Sequence, residues 1–355
     1  VDSTEKKPKT MKLSLIISLI LSIAIIILIL FFTIDAETLE YLSTQQIRYE
    51  FFFAAMGINV IYWILWGIRL RILSNAINKN VNISMWESTK IIIANLFLAN
   101  ITPSMAGGEP VRIYLLSKNG LSVGSATASV LGERLLDAIF ILLCVPFAFL
   151  IFRGHIEVGA LKVGLTIAIA IFILAVIVFA YALKNPKKTK SFLIFLSNKI
   201  SRFSRKKDSE STRIERISSG VDDFHDSMIF FLSTGKKAFI KAGIVTAVFW
   251  ITGWIVPILI LMGLGLKPFI IESCAAQVLL IIIVMMPTTP GSAGVTEGST
   301  AILYSVFIGS SLVGIFVILF RFITYHMGLI VGAIFQYRIF KSVASFSLDV
   351  IKKQK

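Results

Sequence analysis

Long apolar runs constrain this chain more than any other feature. The stretch MKLSLIISLILSIAIIILILFF, residues 11–32, carries a single charge, Lys12. About 20 apolar residues in a helix cross a ~30 Å hydrocarbon core. Comparable runs give six full spans, at about 13–33, 50–70, 123–152, 160–183, 238–263 and 311–338. Short alternating segments of the barrel type are not seen. With 56% hydrophobic and 15% charged residues, and a mean hydropathy of +0.85, the chain is more apolar than ordinary soluble domains. It is read as an all-α polytopic membrane protein, and the run at 11–32 as a retained span rather than a cleaved leader, since it is apolar for too long.

The net charge of +15 would suggest nucleic acid in a soluble protein. Here the excess gathers between spans, as the positive-inside bias requires, and nucleic acid is not an expected partner. Lys6, Lys7, Lys9 and Lys12 place the N-terminus in the cytoplasm, and Asp35, Glu37 and Glu40 follow the first span on the outside. Arg69 and Arg71 return the chain inside, and Lys352, Lys353 and Lys355 keep the C-terminus there.

Enzyme chemistry finds little support. Cys144 and Cys274 sit in apolar runs, and His155, His225 and His326 are scattered without metal-ligand spacing. No nucleophile elbow, phosphate loop or soluble-enzyme carboxylate pair occurs. No cofactor, metal or catalytic residue is expected.

The one long polar region, about 184–240, is basic and hence cytoplasmic. Ile214, Ile217, Val221, Phe224, Met228 and Phe231 form one helical stripe within it. A cap packing on the bundle is the favoured reading over a partner-binding module. Phe192, Phe195, Leu196 and Phe203 lie among Lys and Arg, as in a helix resting on anionic lipid.

Two apolar stretches, 88–116 and 270–306, are broken by NITPSMAGGEP and MPTTPGSAGVTEG. The run from Ile91 to Ile101 is too short to cross, and Arg112 and Lys118 beyond it mark the cytoplasm. It reads as a re-entrant hairpin entering from inside. The second stretch reads as a hairpin entering from outside, with a true crossing by its first arm as the alternative. Broken backbone at membrane depth survives only against protein or a water-filled cavity.

The two halves match without gaps at one constant separation: Trp63 with Trp250, Thr102 with Thr289, Pro103 with Pro290, Ala106 with Ala293, Gly107 with Gly294, and Arg134 with Arg321. Glu109 and Glu297 fall one position out of register. Opposite hairpin entry makes these inverted repeats, the arrangement in which transporters alternate access around a midplane site.

Arg134 and Arg321 each lie roughly 16 Å into a span, where an unpaired arginine costs at least ~2.5 kcal/mol. Asp137, one turn away, can pair with Arg134, whereas Arg321 needs a partner from another segment, with Glu109 and Glu297 as candidates. An anionic ligand is the functional alternative, since guanidinium forks and helix N-termini suit phosphate. The glutamates read either as arginine partners or as cation ligands, proton carriers or charge selectors. Trp63, Trp66, Trp250 and Trp254 read as interface or packing residues.

NLFLANITPSMAGGEPVRIYLL, GERLLD and PTTPGSAGVTEGS resemble the lysylphosphatidylglycerol synthase transmembrane region family over about 50–338. The resemblance implies lipid translocation by two hairpins meeting in a bundle. Carried onto matching positions, it points to Pro103, Gly107, Gly108, Glu109 and Arg112, to Glu133, Arg134 and Asp137, and to Pro290, Gly291, Gly294 and Glu297. The longest polar region is a few dozen residues, so aminoacyl transfer is not expected from the family's name.

The expected organisation has 1–49 as N-terminal tail, first helix and outer loop, and 50–152 as repeat unit one. Residues 153–236 form a linking span and the basic amphipathic region, 237–338 repeat unit two, and 339–355 a basic cytoplasmic tail. The expected function is flippase-like movement of an anionic phospholipid or polyprenyl-phosphate-linked headgroup in the cell membrane. Alternatives are a carrier for a small soluble anion and an accessory subunit. Candidate partners besides membrane lipids are a second copy of the chain and a separate lipid- or glycan-modifying enzyme.

Overall fold

A computed structural model describes residues 46–78, 80–102, 107–152, 180–201, 210–284 and 292–335, with 170, 173, 174, 177 and 178. Every regular element among them is helical. In chain order they are α1 (Tyr49–Ile77), α2 (Met85–Ile101), α3 (Gly108–Lys118), α4 (Val123–Phe152), α5 (Pro186–Ser201), α6 (Glu210–Leu232), α7 (Lys236–Gly263), α8 (Ile270–Val284), α9 (Val295–Tyr304) and α10 (Ser310–Arg321). A π turn at Phe322–His326 follows α10, and the apolar helix so formed runs from Leu312 to Phe335.

Four of the described helices are long and apolar enough to cross a membrane: α1, α4, α7 and Leu312–Phe335. The expected spans at 13–33 and, for the most part, 160–183 lie outside the described residues. The helices of the interrupted stretches are shorter, with 17, 11, 15 and 10 residues in α2, α3, α8 and α9. At 1.5 Å per residue the longest reaches about 26 Å, short of a ~30 Å core.

The register read from the chain reappears in the helix starts. Tyr49 of α1 and Lys236 of α7 stand at the same separation as Arg134 and Arg321. So do the first residues of α3 and α9, Gly108 and Val295, and those of α4 and α10, Val123 and Ser310. The first helices of the two groups pack antiparallel. Arg48 N–H donates to Gly263 C=O at 3.0 Å, where the start of α1 meets the end of α7. Midway, Tyr62 stacks on Phe249 with ring centroids 4.0 Å apart. The buried stripe of α1 (Ala55, Asn59, Trp63, Trp66, Leu70 and Leu73) repeats at three and four residues, the spacing of one helix face.

Glycine permits the first hairpin to close. A Cβ on Gly108 would strike the Asn95 side chain and Ala99, so only a residue without one lets α3 lie against α2. Thr102 clips the break, its hydroxyl donating to Leu98 C=O at 2.7 Å and accepting from Gly107 N–H at 2.8 Å.

α6 lies on the bundle. Val221, Met228 and Phe231 are buried, the last two in a cluster with Leu73, Ala128, Leu136 and Ala242. Gly124 brings α4 against the α6 backbone at Gly220 and Phe224. At Val221, Met228 and Phe231 the apolar stripe is covered by the chain's own helices. Lys190 of α5 reaches Asp222 of α6 at 2.6 Å, while Phe192 and Phe195 remain exposed.

Candidate functional site

The break between α2 and α3 and the span α4 together build a network of charges. Arg134 on α4 donates from Nε to Glu109 Oε1 at 2.8 Å and from NH1 to Asp137 Oδ2 at 3.2 Å. Asp137 also accepts from Arg69 at 2.5 Å and from the Trp250 indole N–H at 2.9 Å. Arg69, fully buried, donates to Glu133 at 3.1 Å and to the Thr246 hydroxyl at 3.3 Å. Arg112, also fully buried, pairs with Glu133 and reaches Glu109 at 3.3 Å. Three arginines thus face three carboxylates. Removing one partner of such a buried set strands a charge and costs about 3–5 kcal/mol.

The second half carries a simpler version. Arg321 Nε donates to Glu297 Oε1 at 2.7 Å, with Glu297 fully buried and Arg321 3% exposed. Glu297 Oε2 accepts from Gly294 N–H at 2.7 Å, tying the start of α9 to the pair. Gly294 holds φ at +86°, a left-handed conformation natural only to glycine. The N–H groups of Gly107 and Gly294 at the two breaks are therefore answered by Thr102 and Glu297.

Ring faces assist the cations. Arg69 lies over Phe249 at 4.5 Å, Arg134 over Trp66 at 5.5 Å and Arg321 over Tyr325 at 4.2 Å. The π turn beside Arg321 turns backbone carbonyls toward side chains. Ile323 C=O accepts from Asn59 at 2.7 Å and Tyr325 C=O from Asn100 at 3.3 Å, while the Tyr325 hydroxyl donates to Asn100 C=O at 3.2 Å. Such π turns are frequent at functional sites.

Arg134 and Arg321 line one cavity of about 280 Å³. Its walls come from both groups of helices: Asn59, Tyr62, Trp63 and Trp66 of α1, Asn95 and Asn100 of α2, Phe249, Trp250 and Trp254 of α7, Gln277 of α8, Thr296 of α9, and Thr324 and Tyr325 beyond α10. Among the described site residues expected from the chain, only these two arginines reach the wall. Glu109, Asp137 and Glu297 stand behind them as partners. Gly107, Gly108 and Gly294 shape the breaks, and Pro103, Pro290 and Gly291 lie outside the described residues.

Arg69 and Arg112, read as markers of the cytoplasmic side, are buried members of the network, and Arg112 does not line the cavity. Trp63, Trp66, Trp250 and Trp254, read as interface or packing residues, pack in or against the core and also line the cavity. A signal existed for Arg69, which sits between Trp66 and Leu73 at helical spacing and so shares their buried face. Among the described residues, no group of three or more His, Cys, Asp or Glu could hold a metal ion.

Comparison with known proteins agrees with this architecture. The chain is 34% identical over 322 residues to a UPF0104 membrane protein of Archaeoglobus fulgidus, covering 90% of this chain and 94% of the relative. It is 23% identical to UPF0104 membrane protein PH1989 of Pyrococcus horikoshii, covering 89% and 94%. It is 29% identical to UPF0104 membrane protein MJ1595 of Methanocaldococcus jannaschii, covering 78% and 80%. No solved structure matches it. The family described as the lysylphosphatidylglycerol synthase TM region matches residues 19–332, and this chain, a multi-pass membrane protein, belongs to that family.

Proposed function

We propose that this protein is a lipid flippase-like transporter of the cell membrane, without catalytic activity of its own. It moves a phosphate-bearing headgroup, of an anionic phospholipid or a polyprenyl-phosphate-linked lipid, through the cavity while the tails stay in lipid. The architecture proposed is six spans and two re-entrant hairpins in inverted repeats, with both termini in the cytoplasm. The common register of the helix starts, the antiparallel packing of α1 on α7 and the short helices of the interrupted stretches support it.

One observation carries the reading. Arg134 and Arg321 occupy equivalent positions in the two halves, and both line the same cavity. A guanidinium has five N–H donors. Arg134 uses three of them on Glu109 and Asp137, and its side chain is 39% exposed, so donors remain for a phosphate. The cover of Val221, Met228 and Phe231 by the chain's own helices argues against an accessory subunit that docks a partner through that stripe.

The test is movement of tail-labelled lipids in proteoliposomes. Because each arginine has a carboxylate partner, the variants neutralise whole pairs: Glu109→Gln with Arg134→Gln, and Glu297→Gln with Arg321→Gln. Headgroup-selective movement by the wild type, lost in both paired variants that remain folded, is the expected result. No movement above protein-free vesicles would overturn the reading. Movement of a water-soluble phosphate instead would favour the soluble-anion carrier.

A further inference from the structure

The described end of the proposed span at 160–183 marks a level in the membrane. Ile173, Ile177 and Tyr181 repeat at intervals of four, as do Leu174 and Val178, and all five are exposed. Apolar side chains bare on one face of a span meet lipid tails, and a tyrosine at its end sits at the level of the headgroups. The helical turn of Tyr181 ends at Lys184, and α5 begins at Pro186 after the single residue Asn185. Two contacts hold its first turn at that level. Lys188 Nζ donates to the Tyr181 hydroxyl at 3.1 Å, and the Thr189 hydroxyl donates to Ala182 C=O at 3.1 Å.

α5 has two unlike faces. Lys190 turns toward α6 and meets Asp222 at 2.6 Å. At about 100° per residue, Phe192 and Phe195 stand roughly 160° and 140° round the helix from Lys190. They are 62% and 64% exposed. Lys187 and Lys188 are exposed beside them, and the stretch from Lys184 to Lys199 holds five lysines and no Asp or Glu. Bare rings bordered by lysines suit the boundary of headgroups and acyl chains, where the rings sink and the long lysine stems reach phosphates. Lys188 gives one donor to Tyr181, and an ammonium has three. An acidic protein would match the lysines equally well. What favours lipid is the place, because one residue separates α5 from the span and leaves no linker to lift it off the surface.

We infer that α5 is an interfacial helix that binds an anionic lipid surface. It lies along the membrane beside the end of that span, sinks Phe192 and Phe195 among the acyl chains, and holds anionic headgroups through Lys187 and Lys188. This surface rests on the placement of the span and is independent of what passes through the cavity. At 16 residues α5 is marginal as a free helix in water, so lipid contact also stabilises its fold.

The experiment places a fluorescent label on Ser191→Cys, beside Phe192, in the full chain with Cys144 and Cys274 replaced by alanine. The protein is held in nanodiscs containing tail-brominated phosphatidylglycerol or, at the same fraction, tail-brominated phosphatidylcholine. Both lipids quench the label, phosphatidylglycerol more strongly, and Lys187→Gln/Lys188→Gln removes that preference, since each lysine near an anionic surface is worth about fivefold. Phe192→Ser/Phe195→Ser abolishes the quenching. Absence of quenching by either lipid overturns the inference, and leaves a protein partner or another part of the chain as the cover of α5. Equal quenching by the two lipids overturns it as well. So does quenching that survives the serine changes, because the label itself would then be entering the bilayer. If the serine variant does not fold, amide hydrogen exchange of the unlabelled wild type decides. Slower exchange within α5 in phosphatidylglycerol nanodiscs than in phosphatidylcholine nanodiscs supports the inference, and equal exchange overturns it.

Discussion

Glu297 binds Arg321 through one carboxylate oxygen at 2.7 Å and the Gly294 N–H through the other, also at 2.7 Å. A single buried side chain thereby joins the start of α9 to the last span and neutralises its arginine. Glu297→Ala should lower stability by about 3–5 kcal/mol, because it strands a buried guanidinium. The Glu297→Gln/Arg321→Gln pair should lose much less. Unfolding in mixed micelles of both variants checks this, and equal losses would contradict the coupling.

Arg69 connects α1 to α4 and α7 through Glu133, Asp137 and Thr246. Arg69→Met should cost about 3–5 kcal/mol, since Glu133 and Asp137 would keep charges that one fewer cation offsets. Arg71, two residues on, is exposed and among the described residues bonds only the Ile83 carbonyl. Arg71→Met should therefore cost about 1 kcal/mol, the usual worth of one hydrogen bond. Matched thermal melts of the two variants decide whether burial or mere basicity matters at this helix end.

The breaks depend on backbone that only glycine adopts or admits. Gly294→Ala should cost about 1–2 kcal/mol, the penalty for a side chain in the left-handed region. Gly108→Val should separate α3 from α2, because its side chain would occupy the space of Asn95 and Ala99. Disulfide trapping between cysteines introduced across α2 and α3, with Cys144 and Cys274 replaced, should succeed in the parent and fail with Gly108→Val. Efficient trapping in both would show that the close approach is dispensable.

The basic region divides into a packed helix and an exposed one. Phe231→Ala should destabilise by about 3–5 kcal/mol, the range for large-to-small changes of buried aromatics. Phe192→Ser with Phe195→Ser removes exposed rings and should leave the stability unchanged within about ±0.5 kcal/mol. A large effect of the second change would mean that another part of the chain covers α5.

Membrane class, helical fold, the placement of the breaks and the common register of the two halves were all legible in the chain. Each rests on local chemistry: apolar run length, proline and glycine, and a repeated order of residues. Arg134 and Arg321 stood out for the same reason, as charges deep in apolar runs. The pairing of charges was a different matter. Asp137, one turn from Arg134, was within local reach, and Glu297 was a candidate for Arg321. The choice among partners 24 to 68 residues apart depends on helices coming together, and no local pattern encodes that. Basicity at a helix end made Arg69 and Arg112 look like residues of the cytoplasmic surface, until the packing of α1, α3, α4 and α7 enclosed them. The tryptophans were equally ambiguous, because an indole at a span end can face lipid, protein or a cavity. Only the meeting of α1 with α7 made Trp63, Trp66, Trp250 and Trp254 the wall of a shared cavity, by turning their buried faces toward each other.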